Sequence, residues 1–114
     1  MFFGSRQGFK QISPADAAKR DDFVIVDVRE SHELVSELGH IEGSLHVPMG
    51  TLLANGLPPE VGQDQQVLVV CRSGGRSARC AQALSNRGFA HVYNLDGGMM
   101  AWGATPLPVV GAGS

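Results

Sequence analysis

The segment Cys71-Arg72-Ser73-Gly74-Gly75-Arg76-Ser77 gathers the residue types that a nucleophilic thiol needs. A cysteine attacks as its thiolate, so its surroundings must favour negative charge. Before it runs Gln66-Val67-Leu68-Val69-Val70, an apolar β-branched stretch that reads as a buried strand and would hold Cys71 rigidly at its end. After it, Gly74 and Gly75 let the backbone take conformations that other residues resist. Ser77 to Arg87 is helical in composition, with Ala78, Ala81 and Leu84 spaced by three, and Gly88 stops it. A curled loop running into a helix N-terminus turns several N–H groups inward and makes an anion cradle. Arg72, Arg76 and Arg79 add positive charge to a chain whose net charge is −2. Cradle, helix dipole and arginines all lower a thiol's pKa. A plain buried cysteine followed by a turn and a basic helix would not need the glycine pair, Ser77 and the arginines together.

The remaining elements must carry this loop. Ser13-Pro14-Ala15-Asp16 is a helix start, with an N-cap serine, proline at the first helical position and an acid in the first turn; the helix should run to about Lys19 or Arg20. Phe23 to Val28 is a second β-branched apolar run without alternation. Strands apolar on both faces belong to a parallel sheet covered by helices on both sides. Val92 to Leu95 reads as a short strand and Gly98 to Trp102 as a last short helix. Ser31 to Glu37 reads as helical and Thr51 to Ala54 as a helical turn. The repeated β-α order gives an α/β class with an open parallel sheet. In such sheets the chemistry sits beyond the carboxyl ends of the strands, here after Val28, after Val70 and after Leu95.

With 114 residues there is room for one domain, and 43% hydrophobic against 18% charged residues excludes general disorder. The slightly acidic balance, with one Trp, one Tyr and five Phe, argues against a nucleic-acid surface. Apolar runs are far shorter than the ~20 residues of a membrane span. Cys71 and Cys80 form neither a C-x-x-C nor a disulfide framework, and His32, His40, His46 and His91 form no short-range ligand cluster. No metal or organic cofactor is implied. A free thiol fits a reducing compartment, so the expected location is the cytoplasm. The domain is expected over residues 9–104, with residues 1–8 and 105–114 as flexible termini.

The loop resembles the active-site loop of the rhodanese family of sulfurtransferases, and four further features agree in order. Ile25-Val26-Asp27-Val28-Arg29 matches a strand ending in Asp-x-Arg. Gly39-His40-Ile41-Glu42-Gly43-Ser44 is similar to the Gly-His-Ile-x-Gly-Ala motif, with Ser44 where Ala is more usual. Val47-Pro48 follows, and Asp96-Gly97-Gly98-Met99-Met100-Ala101-Trp102 resembles the closing Gly-Gly-x-x-x-Trp segment. The resemblance runs from about Phe9 to Trp102. It implies a single rhodanese-like α/β domain with a central, mostly parallel five-stranded sheet flanked by helices on both faces. It also implies a mechanism. Cys71 would take sulfane sulfur from a small anionic donor such as thiosulfate, form a persulfide and release sulfite. It would then pass the sulfur to cyanide or a thiol acceptor, a protein thiol included. The N–H groups of Arg72, Ser73, Gly74, Gly75, Arg76 and Ser77 would hold the sulfur, and Arg72 and Arg76 would attract the donor. The spacing from Cys71 to Arg76 is C-x4-R, one residue shorter than the C-x5-R of the cell-cycle phosphatases that share this fold, which need room for a phosphate.

Asp27 and Arg29 could line a pocket mouth; the plainer expectation is that Asp27 binds nearby loop N–H groups and Arg29 pairs with Glu30 or Glu33. His40 is expected to satisfy backbone groups in a turn rather than act as a base. Asp96 could brace the active-site loop. Cys80 could act as a resolving thiol, but a helical cysteine among alanines is more often a packing residue. The rivals are a thiol-dependent redox enzyme of the arsenate reductase kind, a persulfide carrier and a non-catalytic rhodanese-like binding module. The oligomeric state is not readable from the sequence.

Overall fold

The structure is a computed structural model and describes residues 8–113. Ser13 caps α1 (Pro14–Ala18), its hydroxyl accepting from the Asp16 N–H at 3.2 Å, with Pro14 at the first helical position. The two long apolar runs become β2 (Phe23–Asp27) and β4 (Gln66–Val70), paired in parallel over five residues. β5 (His91–Leu95) flanks β4 on its other side, and the three-residue β1 (Lys10–Ile12) lies at the edge beyond β5. The two-residue β3 (Leu45–His46) forms the opposite edge, giving the order β1-β5-β4-β2-β3 with every strand parallel. The sheet expected as mostly parallel is therefore wholly so. β4 is its centre, which places Cys71 at the middle of the carboxyl edge.

The absence of alternation in the long strands has the predicted cause. Val67 and Val69 face one layer with Val26, Val28 and Val92, under Leu52 of α3 (Met49–Asn55) and Cys80, Ala81 and Leu84 of α4 (Gly75–Asn86). Leu68 and Val70 face the other, with Leu95, Ile41, Ala17 of α1, and Met99 and Trp102 of α5 (Gly98–Gly103). Both sets are fully covered, so each valine or leucine contributes about 1.5–3 kcal/mol of burial.

Three expectations shift. The helix expected to Glu37 is the single turn α2 (Ser31–Leu34). The Ser36 hydroxyl donates to the Glu33 carbonyl at 2.7 Å, ending the helix, and Gly39 turns the chain at φ +61°. α3 extends beyond the expected turn on both sides. The third is the C-terminal segment, expected to fray but held against the domain. The Trp102 indole N–H donates to the Pro108 carbonyl at 3.1 Å, and Leu107 and Val109 pack on the second core layer. Val110 exchanges backbone hydrogen bonds with His40 at 2.9 and 3.0 Å. Residues 1–7 and Ser114, also expected to be flexible, lie outside the described residues; the Gly8 N–H donates to Gln82 at 3.3 Å. No helix among the described residues is long and apolar enough to cross a membrane.

Candidate active site

β4 carries Cys71 to the carboxyl edge of the sheet, where it is 1% exposed. The loop then turns through Gly74, whose φ of +108° an L side chain rarely adopts, and α4 begins at once. Gly75 differs from the expectation for the pair: it sits in the first turn of α4 without a positive φ, and a Cβ there would meet nothing within 4 Å. The Gly74 N–H donates to the Cys71 Sγ at 3.0 Å and the Ser77 hydroxyl lies 3.2 Å from it. Burial pushes the thiol up. The N–H groups of Ser77, Gly74 and Ser73, with the Ser77 hydroxyl when it turns to the charged sulfur, outweigh burial and leave it below the ordinary cysteine value.

The loop keeps its N–H groups inward because its carbonyls are bonded outward. The first N–H groups of α5 take them, Met99 donating to Cys71 O at 2.8 Å and Met100 to Arg72 O at 2.9 Å. Such close approach requires Gly98, since a Cβ there would stand 2.5 Å from the Arg72 carbonyl oxygen. This is the physical content of the Gly97-Gly98 pair. Asp96, expected as a brace, has an exposed side chain; its backbone N–H bonds Ile12 O at 2.8 Å. The bracing comes instead from the residues after it and from Asn94 on β5. The buried Asn94 amide contacts Ser77 Oγ at 2.5 Å and donates to Gly74 O at 3.2 Å.

Asp27 and Arg29 are each 1% exposed and line no opening. The Arg29 guanidinium grips the Asp27 carboxylate through Nε at 3.0 Å and Nη2 at 2.8 Å, and donates to the carbonyls of Gly39 and Glu33. The Arg29 N–H also donates to Asp27, as expected of an acid at a strand end. Its ion-pair partner is thus Asp27 rather than Glu30 or Glu33. The motif ties the sheet edge to the α2 segment. The Glu33 carboxylate is free for another partner and takes Arg76 in a two-pronged pair, both contacts 2.8 Å. That guanidinium holds the Glu33 carboxyl down to about 2, and the Glu33 carboxylate raises the pKa of Arg76 in turn. Arg76 therefore meets an incoming anion with its charge largely balanced, whereas Arg72 and Ser73 are exposed. His40 is a turn residue, its Nδ1 donating to Leu34 O at 2.9 Å. Cys80 is fully buried and its thiol is pushed up to about 11 by burial and by the neighbouring Cys71.

Two cavities, of ≈ 300 and ≈ 420 Å³, lie away from the thiol, one at the amino ends of β1 and β5 and one beside α3. Among the described residues no cluster of His, Cys, Asp or Glu could hold a metal ion. The arrangement is a cradle of donors around one sulfur, suited to stabilising negative charge there.

Known proteins share this architecture. The chain is 36% identical over 99 residues to the thiosulfate sulfurtransferase GlpE of Ectopseudomonas mendocina, covering 85% of this chain and 87% of that protein. It is 34% identical over 93 residues to a sulfurtransferase of Allochromatium vinosum, with 82% and 83% covered. The crystal structure of a rhodanese-related protein from Thermoplasma volcanium superposes with a TM-score of 0.80 at 29% identity, over 90% of this chain and 99% of that one. A rhodanese-like domain model matches residues 13–105. That match begins at the Ser13 cap and ends beyond the indole of Trp102, so it takes in the whole sheet from β2 onward, the thiol loop and its brace: the chain belongs to the rhodanese-like domain family.

Proposed function

We propose that this protein is a sulfurtransferase that carries sulfane sulfur as a persulfide on Cys71, taking it from thiosulfate or a similar small anionic donor and passing it to cyanide or a thiol. The observation that carries this reading is the convergence of the Gly74 N–H and the Ser77 hydroxyl on one thiol in a C-x4-R loop. The Cys71 thiolate attacks the outer sulfur of thiosulfate. A sulfur–sulfur bond forms to Cys71, the bond to the sulfonate breaks, and sulfite leaves with the electron pair. The terminal sulfur is then anionic and inherits the same hydrogen bonds, as an oxyanion does in its hole. Cyanide or an acceptor thiolate attacks that outer sulfur, and the Cys71 thiolate departs ready for another cycle. A protein thiol suits the acceptor role because the loop lies at the sheet edge with Arg72 and Ser73 exposed. The raised pKa and burial of Cys80 count against a two-thiol redox route.

The test is intact-mass spectrometry after mixing with thiosulfate and rapid desalting. One added sulfur is expected, located on Cys71, lost on adding cyanide or excess thiol, and not formed by Cys71→Ser. No adduct, with turnover of an aryl phosphate instead, would sink the reading; neither adduct nor turnover would leave a binding module.

A further inference from the structure

Beneath the cradle, the Ser77 hydroxyl has one proton and more than one claimant. Its Oγ lies 3.2 Å from the Cys71 Sγ, 3.3 Å from the Gly74 carbonyl oxygen and 2.5 Å from the Asn94 Oδ1. The orientation of the Asn94 amide follows from its other contacts. Nδ2 lies 3.2 Å from the Gly74 carbonyl and 3.1 Å from the Gln11 Oε1. A backbone carbonyl only accepts, so the nitrogen must face Gly74 and the oxygen must face Ser77. Oδ1 has no proton, so at this distance Ser77 donates to it. The Ser77 oxygen then offers Cys71 lone pairs alone. That suits a neutral thiol, whose S–H can donate to Oγ, and opposes a thiolate. If the hydroxyl turns toward sulfur, the thiolate gains a donor, but Oγ and Oδ1 are left facing each other as two acceptors.

We propose that Asn94 is a positioning residue of the reaction, holding the single Ser77 proton away from Cys71 while the sulfur is neutral and releasing it when the sulfur carries charge. The proposal rests on Cys71 being the reacting sulfur. The cradle then has two parts. The Gly74 N–H donates to the sulfur from the backbone, which no side-chain rotation redirects. The Ser77 hydroxyl is switched by rotation about its Cβ–Oγ bond, and no proton leaves Ser77 or Asn94. Asn94 thereby sets how readily the resting thiol ionises. It also ties the switch to Gly74, the residue whose conformation shapes the loop. The charged and titratable groups around Cys71 are Arg72 beside it in the loop, Arg76, Arg79 and Cys80 of α4, Glu33 of α2 through Arg76, and the pair formed by Asp27 at the end of β2 with Arg29 just beyond it. From β5 and β1 the network is made of the neutral amides of Asn94 and Gln11, and from α5 it is the Met99 backbone that meets Cys71. No charge therefore follows the Asn94 side chain when it is replaced.

The experiment is the pH dependence of Cys71 alkylation by iodoacetamide, with the modified peptide assigned by mass spectrometry so that Cys80 is not counted. It needs no sulfur donor, so its result stands apart from the test of sulfur transfer. Wild type, Asn94→Leu, Ser77→Ala and the double variant are compared. Asn94→Leu should move the midpoint down and speed alkylation below it about 3- to 10-fold, the worth of one hydrogen bond. The double variant should match Ser77→Ala, because without the hydroxyl there is nothing to release. An Asn94→Leu effect that is absent, reversed, or equally large without Ser77 would overturn the proposal. Should Asn94→Leu fail to fold, Ser77→Ala decides alone. A change under about two-fold is expected, since what the hydroxyl gives the thiolate it takes from Asn94; a ten-fold fall would assign the proton to sulfur and refute the switch.

Discussion

Arg76 and Glu33 should change thiosulfate use in opposite directions when each is replaced. Their two-pronged pair leaves Arg76 with a balanced charge beside the loop. Arg76→Ala removes the cation and leaves Glu33 as an unpaired carboxylate, so the donor meets one more negative charge. Glu33→Gln does the reverse, and glutamine keeps the side-chain hydrogen bond to the Glu30 N–H that caps α2. For a dianion ~8 Å away in a water-like dielectric, one unit of charge is worth ~1 kcal/mol, or about five-fold in kcat/KM. Low-salt assays with thiosulfate should therefore give about a five-fold loss for Arg76→Ala and a gain of similar size for Glu33→Gln. Both effects should shrink as salt shortens the screening length to ~3 Å at 1 M. A neutral polysulfide donor should respond to neither. Losses for both variants, equal on charged and neutral donors and indifferent to salt, would show that the pair only holds the loop in place.

Two further outcomes follow from the same geometry. The Glu33 carboxyl is held down to about 2 from 4.5, so the stability it contributes is present above about pH 4.5 and lost as pH falls toward 2. Urea unfolding of wild type and Glu33→Gln should differ near neutrality and converge in acid, and a gap that does not change with pH would contradict the assignment. Gly74→Ala should cost about 1–2 kcal/mol, for backbone conformation rather than contact, because a Cβ there meets nothing nearer than 3.5 Å. Gly75→Ala should be neutral or stabilising by up to about 1 kcal/mol, since it is a helical position in open space. Equal losses in chemical denaturation would mean that the two glycines are not distinct.

The features legible in the sequence are those whose reason is local. The unalternating runs before Cys71 and before Arg29 report a sheet covered on both faces, because side chains on both faces of such strands are buried, fully along Val67–Val70 and at least partly along Phe23–Asp27. Ser13-Pro14 announces a helix by satisfying its own first N–H groups. Pairings across the chain leave no such trace. Glu33 was as free to meet Arg29 as Arg76, 43 residues away, and only the prior claim of Asp27 on Arg29 decides between them. Asn94 carries no signal beyond being a polar residue in a short apolar strand. Its role exists only because β5 packs beside β4. β1 and β3 are too short for any period to register. The tail after Thr105 has proline spacing that reads as irregular, yet irregular backbone can still be anchored, here by Trp102 and His40.

The bonds from the start of α5 to the carbonyls of Cys71 and Arg72 also bear on the order of events during synthesis. Translation proceeds from the amino end, so the cysteine leaves the ribosome well before Gly98, Met99 and Met100 exist to turn those carbonyls outward. β5, which brings Asn94 under the loop, also comes later. A nascent chain stopped short of α5 lacks the N–H groups that hold those two carbonyls, so its loop is left unbraced. The brace of the thiol loop is thus added last, by the same closing segment that completes the second core layer.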